Sequence, residues 1–402
     1  MAREVNAAER LGFAVRVSGF YAAVFLVAGT YMPFLPLWLD WRGLGPAEIG
    51  VIFAVPLFVR IVVTPAIAFA ADRLGDHRRV LILLSWGTLA TLLVLSRFAS
   101  FWPILLVFLV YALCWSTVMP LTETIAVSGV KRLGLDYGRM RLWGSLSFIL
   151  ASFVGGFVID AYGKPAAIWL VVTGAAVSIF AAHMLPRPHQ RRDDDAPNRP
   201  RLTLAEVGRL ARMPSFLVFL LAAGAAQSAH AVFYTFGTLH LQKQGVAMGL
   251  TGVLWAIGVL SEIVLFAFSR RVVALLGPLR LLAIGGAAAV FRWIVMSFDP
   301  SLTALAVLQI LHGATYGAAH LGAIYYIGER VPESQAGTAQ ALYAAVTAGI
   351  GMGLATSLAG RLYAAYGGGA YLGMAVIAAI SLAATLWLMA ADRASGAGHG
   401  AR

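Results

Sequence analysis

One cysteine, Cys114, stands in the 402 residues, inside an apolar run. That excludes a disulfide framework and any cysteine-built zinc site. Charge is scarce as well: 12% of residues are charged, and 18 Asp+Glu face 30 Lys+Arg, for a net charge of +12. So few charges cannot cover the surface of a soluble protein of this length. No nucleophile–base pair, phosphate-binding loop or metal-ligand set is found, so an enzyme is not expected. His312 and His320, eight apart with no Cys or carboxylate at ligand spacing, make a poor metal site. The polar opening from Met1 to Arg10 leads into an apolar stretch without a small-residue cleavage pattern, which argues against a removed signal peptide. What the chain does hold is apolar side chains, 60% of residues, with a mean hydropathy of +0.81. This is the composition of an integral membrane protein.

Span-length apolar runs fall near 13–39, 47–71, 79–97, 101–128, 138–160, 165–185, 215–242, 248–268, 279–297, 301–329, 334–362 and 369–391. Twelve spans of about 22 residues leave no room for a soluble domain. The runs group as six and six around a polar stretch rich in Pro, Arg and Asp. The expected architecture is therefore an all-α membrane protein of two pseudo-symmetric six-helix bundles, 1–185 and 215–402, joined by a cytoplasmic linker, 186–214. Counted by side, 23 Lys/Arg lie on the segments shared with the termini and five on the opposite loops. Positive residues are retained on the cytoplasmic side, so both termini are expected inside, in an inner membrane. The same placement explains the basic charge without nucleic acid, and the expected partners are the bilayer and a small-molecule substrate. Residues 38–60 align without a gap on 240–262, pairing Gly43 with Gly245 and Gly50 with Gly252, the mark of an internal duplication.

Ionisable residues in spans cost about 2.5–3.5 kcal/mol each on insertion scales, so survivors point to function. Here they are Arg60, Glu123, His230, Glu262, Arg292, His312 and His320, accompanied by Gln227 and Gln309. At about 100° per residue, Gln309, His312, Tyr316 and His320 share one face of the tenth span. Gln227, His230 and Tyr234 repeat the Gln-x-x-His-x-x-x-Tyr spacing on the seventh. Two stripes of amide, imidazole and phenol suit a ligand with an aromatic or hydroxylated body. Arg60, Arg141 and Arg292 outnumber Glu123 and Glu262, which suits an anionic ligand group, because a guanidinium binds a carboxylate in two-pronged fashion. For His230 and His320 an interhelical hydrogen bond is an equally good explanation.

The loop after the second span, AFAADRLGDHRRV, resembles the Gly-x-x-x-Asp-Arg-x-Gly-basic loop of the major facilitator superfamily. Asp72, Arg73, Gly75, Arg78 and Arg79 match it, while Ala68 replaces the leading Gly and Asp76-His77 displace the basic pair. The resemblance implies a gating loop there. LDYGRMRLWGS, with Glu123 lying 18 residues before Arg141, is similar to the sugar-site segment of the lactose permease group, as are Arg292 and His312, 20 apart. That group carries a proton-linked glutamate three residues after the histidine, where this chain has Thr315. PLTETIA, QSAHAVFY, SEIVLFAFS, FRWIVM and LQILHGATYGAAHLGAIYYI resemble the 3-phenylpropionate permease group more closely.

The resemblance implies a monomeric proton symporter importing a small aromatic carboxylate, with no cofactor beyond the coupling proton. Sugar or nucleoside symport, an exporter of the same fold, and a non-transporting assembly factor are the alternatives. Candidates for proton coupling are Glu262, His312 and Glu123. Glu262 leads, because Glu123 is expected to pair with Arg141 and stay ionised, whereas no basic residue lies within one turn of Glu262 on its helix. Arg292 is expected to pair with Glu262 in one conformation and release it in the other.

The charge asymmetry fixes a topology that can be tested. A reporter active only in the cytoplasm should work when fused at residue 200 or at the C-terminus, and activity of a periplasm-only reporter at either place would refute the orientation.

Overall fold

A computed structural model of the chain describes residues 7–186, 204–210 and 212–399, and most of the expected 186–214 linker lies outside them. Two compact units emerge, Met1–Asp195 with Leu241–Ala256 and Ala196–His240 with Ile257–Arg402. Among the described residues eleven helical stretches are long and apolar enough to cross a membrane. The last, Gln335–Ala394, is 60 residues long, about three times what one crossing needs. It turns back at Gly367, whose φ of +55° favours glycine, so the described residues make twelve crossings.

The first unit holds α1 (Ala7–Trp41), α2 (Pro46–Leu74), α3 (His77–Leu95), α4 (Phe101–Ser116), α5 (Val118–Leu133), α6 (Tyr137–Tyr162) and α7 (Ala166–Met184). Helix α1 is its centre. Phe13, Val17, Phe20, Tyr21 and Val24 recur at helical spacing and are buried against Leu81, Leu121, Met140 and Ala182. The second unit holds α8 (Leu204–Leu210), α9 (Pro214–Ser228), α10 (Ala231–Lys243), α11 (Met248–Ala267), α12 (Ser269–Leu276), α13 (Pro278–Met296), α14 (Leu302–Ile310), α15 (Ala319–Arg330), α16 (Glu333–Ala344), α17 (Met352–Tyr366) and α18 (Ala370–His399). The ends of α10 and α11 nearest each other belong to the first unit. Here α9 takes the central place, with Phe216, Phe219 and Ala223 buried against Tyr326, Ile327, Tyr343 and Leu388.

Four crossings are interrupted, which hydropathy does not foresee. The fourth breaks between α4 and α5 at Thr117, three residues before Pro120, whose missing N–H takes a rung out of the ladder. The seventh breaks between α9 and α10 at His230. Its ring Nδ1 lies 3.1 Å from the Ala226 oxygen and 3.2 Å from that of Gln227, a side chain on the carbonyls of its own helix. The tenth widens into a π turn over Gly313–Ala318 between α14 and α15, and the eleventh into another over Ala345–Gly351 between α16 and α17. Such turns leave backbone groups for other partners. The Gly313 N–H donates instead to Ser261 Oγ of α11, 2.9 Å away.

Glycine permits the closest helix contacts. A Cβ on Gly156 of α6 would stand 2.1 Å from the Met248 carbonyl oxygen, and one on Gly252 of α11 would stand 2.2 Å from that of Ser152. The Asp160 carboxylate holds the same seam, accepting from the Met248 and Gly249 N–H groups at 2.8 and 2.7 Å. Gly156→Ala should therefore cost about 1–3 kcal/mol by overpacking. Gly12→Ala, with nothing within 4 Å of its Cβ, should be harmless. Thermal unfolding in detergent checks the contrast, and equal melting temperatures would contradict it.

Candidate functional site

Arg292 lies on α13, two turns beyond Gly285 and Gly286, where the absence of side chains lets this helix close on Ala319 and on the Leu382 backbone. The residue is 0% exposed. Its Nη2 donates to Gln309 Oε1 at 2.7 Å, and Nη1 donates to Thr315 Oγ1 at 3.2 Å and to His312 Nδ1 at 3.3 Å. The guanidinium also lies over the rings of Trp293, 4.6 Å, and Phe233, 5.0 Å. Every one of these partners is neutral or an aromatic face. Among the described residues Arg292 forms no ion pair: Gln309, His312 and Thr315 on the tenth crossing take up the Nη groups, and Glu262 stands apart from the guanidinium in this conformation.

Donor and acceptor chemistry fixes the tautomers. A guanidinium only donates, so His312 Nδ1 accepts and its proton sits on Nε2, which stands 3.9 Å from Glu262 Oε2. His230 Nδ1 faces two carbonyls and carries the proton, so its Nε2 accepts from Thr315 Oγ1 at 3.1 Å. Thr315 thus links Arg292 to His230. Sequence reasoning had passed over it as a residue unable to titrate; its hydroxyl acts as a connector, a role that side-chain chemistry alone does not announce. Ser261, which holds the π turn, and Phe233 beside the guanidinium were missed in the same way. Three buried donors in this group have no hydrogen-bond partner: Arg292 Nε, Trp293 Nε1 and Gln309 Nε2.

The two aromatic stripes come together. His312, Tyr316 and His320 stack along the tenth crossing with centroids 5.4 and 6.0 Å apart and interplanar angles of 17° and 11°. His230 stacks on Tyr234 at 5.4 Å and meets His312 edge-on at 5.6 Å. Gln227 is buried and contributes its backbone carbonyl to His230. His320 sits farther out, with Nδ1 3.1 Å from the Tyr343 hydroxyl, an interhelical tie.

The first-unit candidates stand differently. Glu123 and Arg141 do not pair, correcting the expected ion pair. Asp136 caps α6 and accepts from Arg139 N, which puts Tyr137 in the first turn, where its hydroxyl donates to Glu123 Oε1 at 3.2 Å. Arg141, one turn later, lies 4.1 Å over the Phe25 ring and 5.6 Å from that of Tyr21. Arg60 on α2 is half-buried, with Tyr31 as its electrostatic neighbour. In the loop between α2 and α3, Gly75 closes α2 at φ +66° and Asp76 accepts from Arg79 N at 2.9 Å. Asp72 Oδ1 meets His77 Nε2 at 2.8 Å, Arg78 Nη2 donates to the His183 carbonyl at 2.6 Å, and Arg73 lies over Phe69. The loop is thus tied to α7. Among the described residues no three His, Cys, Asp or Glu gather as a metal site.

Twelve crossings with a buried polar network on broken helices define a membrane transporter of the major facilitator type. The chain belongs to the family described as "MFS_1 like family", matched over residues 14–372. It is 31% identical to the "Probable 3-phenylpropionic acid transporter" of Escherichia coli (strain K12), over 89% of this chain and 93% of that one. It is 28% identical to the maltose permease of Geobacillus stearothermophilus, over 94% and 95%. The crystal structure of the nucleoside transporter NupG superposes with a TM-score of 0.80 at 17% identity, over 94% and 98%, a likeness of fold.

Thr315→Val removes the acceptor for Arg292 and the donor for His230 together. It should cost about 1–3 kcal/mol, seen as a lower melting temperature, whereas Thr315→Ser should stay near the parent. Equal melting by the two variants would show the hydroxyl to be dispensable.

Proposed function

We propose that the protein is a proton-coupled importer of a small aromatic carboxylate, working as a monomer by alternating access in the inner membrane with both termini in the cytoplasm. The observation that carries this reading is the uncompensated charge of Arg292: a fully buried guanidinium held by neutral acceptors, with unpartnered donors on itself, Trp293 and Gln309. A ligand carboxylate supplies the missing acceptors and the missing negative charge at once. Tyr234, Tyr316 and His230 offer ring faces for its body, and Gln227 and His320 are its remaining candidate contacts in the second unit. The likeness to a protein named for 3-phenylpropionic acid supports the same class.

For the coupling ion, Glu262 is the carrier and His312 its link to the binding site. With no ligand, ionised Glu262 offsets Arg292 through the imidazole between them. When a ligand carboxylate arrives at Arg292, that offset is no longer needed and Glu262 favours its neutral form. One proton then travels with one anion, and no other cofactor is required. Glu123, bonded to Tyr137, is the second carboxylate available. The α2–α3 loop, with Asp72, Arg73, Gly75, Arg78 and Arg79, gates the cycle.

A sugar is the second reading, favoured by the maltose permease likeness. Uptake of labelled 3-phenylpropionate into proteoliposomes separates the two. The acid should compete at least about tenfold better than its uncharged amide, and Arg292→Lys should lose a similar factor, since a charge-assisted pair is worth about 1.5–3 kcal/mol. Equal competition by acid and amide would reject the carboxylate reading. Glu262→Gln should keep exchange down a gradient and lose accumulation driven by pH; accumulation retained in that variant would pass the proton role to His312.

A further inference from the structure

Outside the transport site, α1 and α6 frame a crevice of about 600 Å³. It has a closed end and an open one. At the closed end Ser147 Oγ donates to the Ala22 carbonyl at 2.7 Å, and a Cβ on Gly144, one turn earlier on α6, would stand 2.9 Å from the Phe25 ring. Toward the N-terminal end of both helices the two separate. Small residues on α1, Ala14, Ser18 and Gly19, leave the floor open, and a Cβ on Gly19 would meet nothing within 4 Å.

The walls and the mouth differ in chemistry. Leu11, Val15 and Trp143 are 66%, 60% and 56% exposed, a surface that suits hydrocarbon and not water. The mouth carries Arg10 and Arg139. Arg10 reaches the turn between α5 and α6, where Nη2 donates to the Gly134 carbonyl at 3.1 Å. Arg139 is 89% exposed and 3.8 Å from Asp136, a loose contact that leaves its guanidinium available. From Arg10 to Ala22 the helix rises about 18 Å, close to the roughly 15 Å of hydrocarbon in one leaflet. The basic end is the one that the charge asymmetry assigns to the cytoplasm, where anionic lipids attract Lys and Arg beside the membrane.

We propose that this crevice binds an anionic phospholipid of the cytoplasmic leaflet, its phosphate between Arg10 and Arg139 and one acyl chain along Ala14, Ser18 and Gly19. Charge selects the headgroup and the open floor takes the chain. The lipid fills the space between α1 and α6 and so braces the first unit.

Purified protein in detergent tests this by thermal unfolding with added phosphatidylglycerol, phosphatidylcholine of the same chains, or soluble glycerol phosphate. Phosphatidylglycerol should raise the melting temperature above either of the others. The double variant Arg10→Gln/Arg139→Gln should bind phosphatidylglycerol about thirtyfold more weakly, at about 1 kcal/mol per basic residue, and should no longer distinguish it from phosphatidylcholine. Gly19→Leu, which fits without a clash and fills the floor, should lose the response to both lipids while folding normally. Equal stabilisation of the parent by the two lipids, or an unchanged response in the double variant, would overturn the proposal. A response to glycerol phosphate as large as that to the lipid would assign the arginines to a free anion and overturn it equally.

Discussion

A full positive charge inside a membrane protein must be answered by something, and Arg292 is answered by neutral groups. Its guanidinium is wholly buried and bonded to an amide, an imidazole and a hydroxyl, with two aromatic faces beside it. Much of the second unit follows from holding it there. The π turn at Gly313–Ala318 lies between His312 and the rest of the tenth crossing and contains Thr315, which bonds the guanidinium from one side while Gln309, before the turn, bonds it from the other. Gly313 permits the turn to approach α11, where a Cβ would stand 2.9 Å from the Ser261 carbonyl, and the serine hydroxyl takes the N–H that the turn frees. His230 breaks its own helix to hold its Nε2 toward Thr315. The π turn at Gly313 and the break at His230 each have a polar partner, as the low-dielectric interior demands.

Charge balance connects this arrangement to the proposed function. Glu262 is not in contact with the guanidinium, yet the imidazole of His312 touches one and approaches the other, with its two nitrogens in opposite roles. A direct Glu262–Arg292 pair would satisfy both groups permanently and leave little reason for a ligand to enter. With the imidazole interposed, the carboxylate offsets the arginine weakly enough that a better-placed carboxylate can replace it. In the proposed cycle ligand binding and protonation are two halves of one exchange of negative charge.

The architecture was largely legible in the sequence, because bilayer thickness sets span length and apolar runs reveal it directly. Twelve spans were read from hydropathy, and the polar stripe of Gln309, His312, Tyr316 and His320 from helical periodicity. Interruptions were not legible. Thr117, His230 and the two π turns lie inside apolar runs, and each depends on a side chain or proline competing for backbone groups, which a count of residue types does not register. Ion pairing was misread at one place: Glu123 and Arg141 were matched by opposite charge and separation along the chain, whereas Tyr137 and Phe25 are nearer in space. Polar neutral residues decide where a buried charge points, and their partners are visible only once the helices are packed.

The central claim is that a carboxylate at Arg292 and a proton at Glu262 arrive together. Proton uptake on ligand binding measures this directly: 3-phenylpropionate is added to the purified protein in weakly buffered solution containing a pH indicator. The account predicts alkalinisation approaching one proton per bound ligand in the parent protein, and none in Glu262→Gln although the ligand still binds. Binding by the parent without proton uptake at any pH where Glu262 starts out ionised would contradict it.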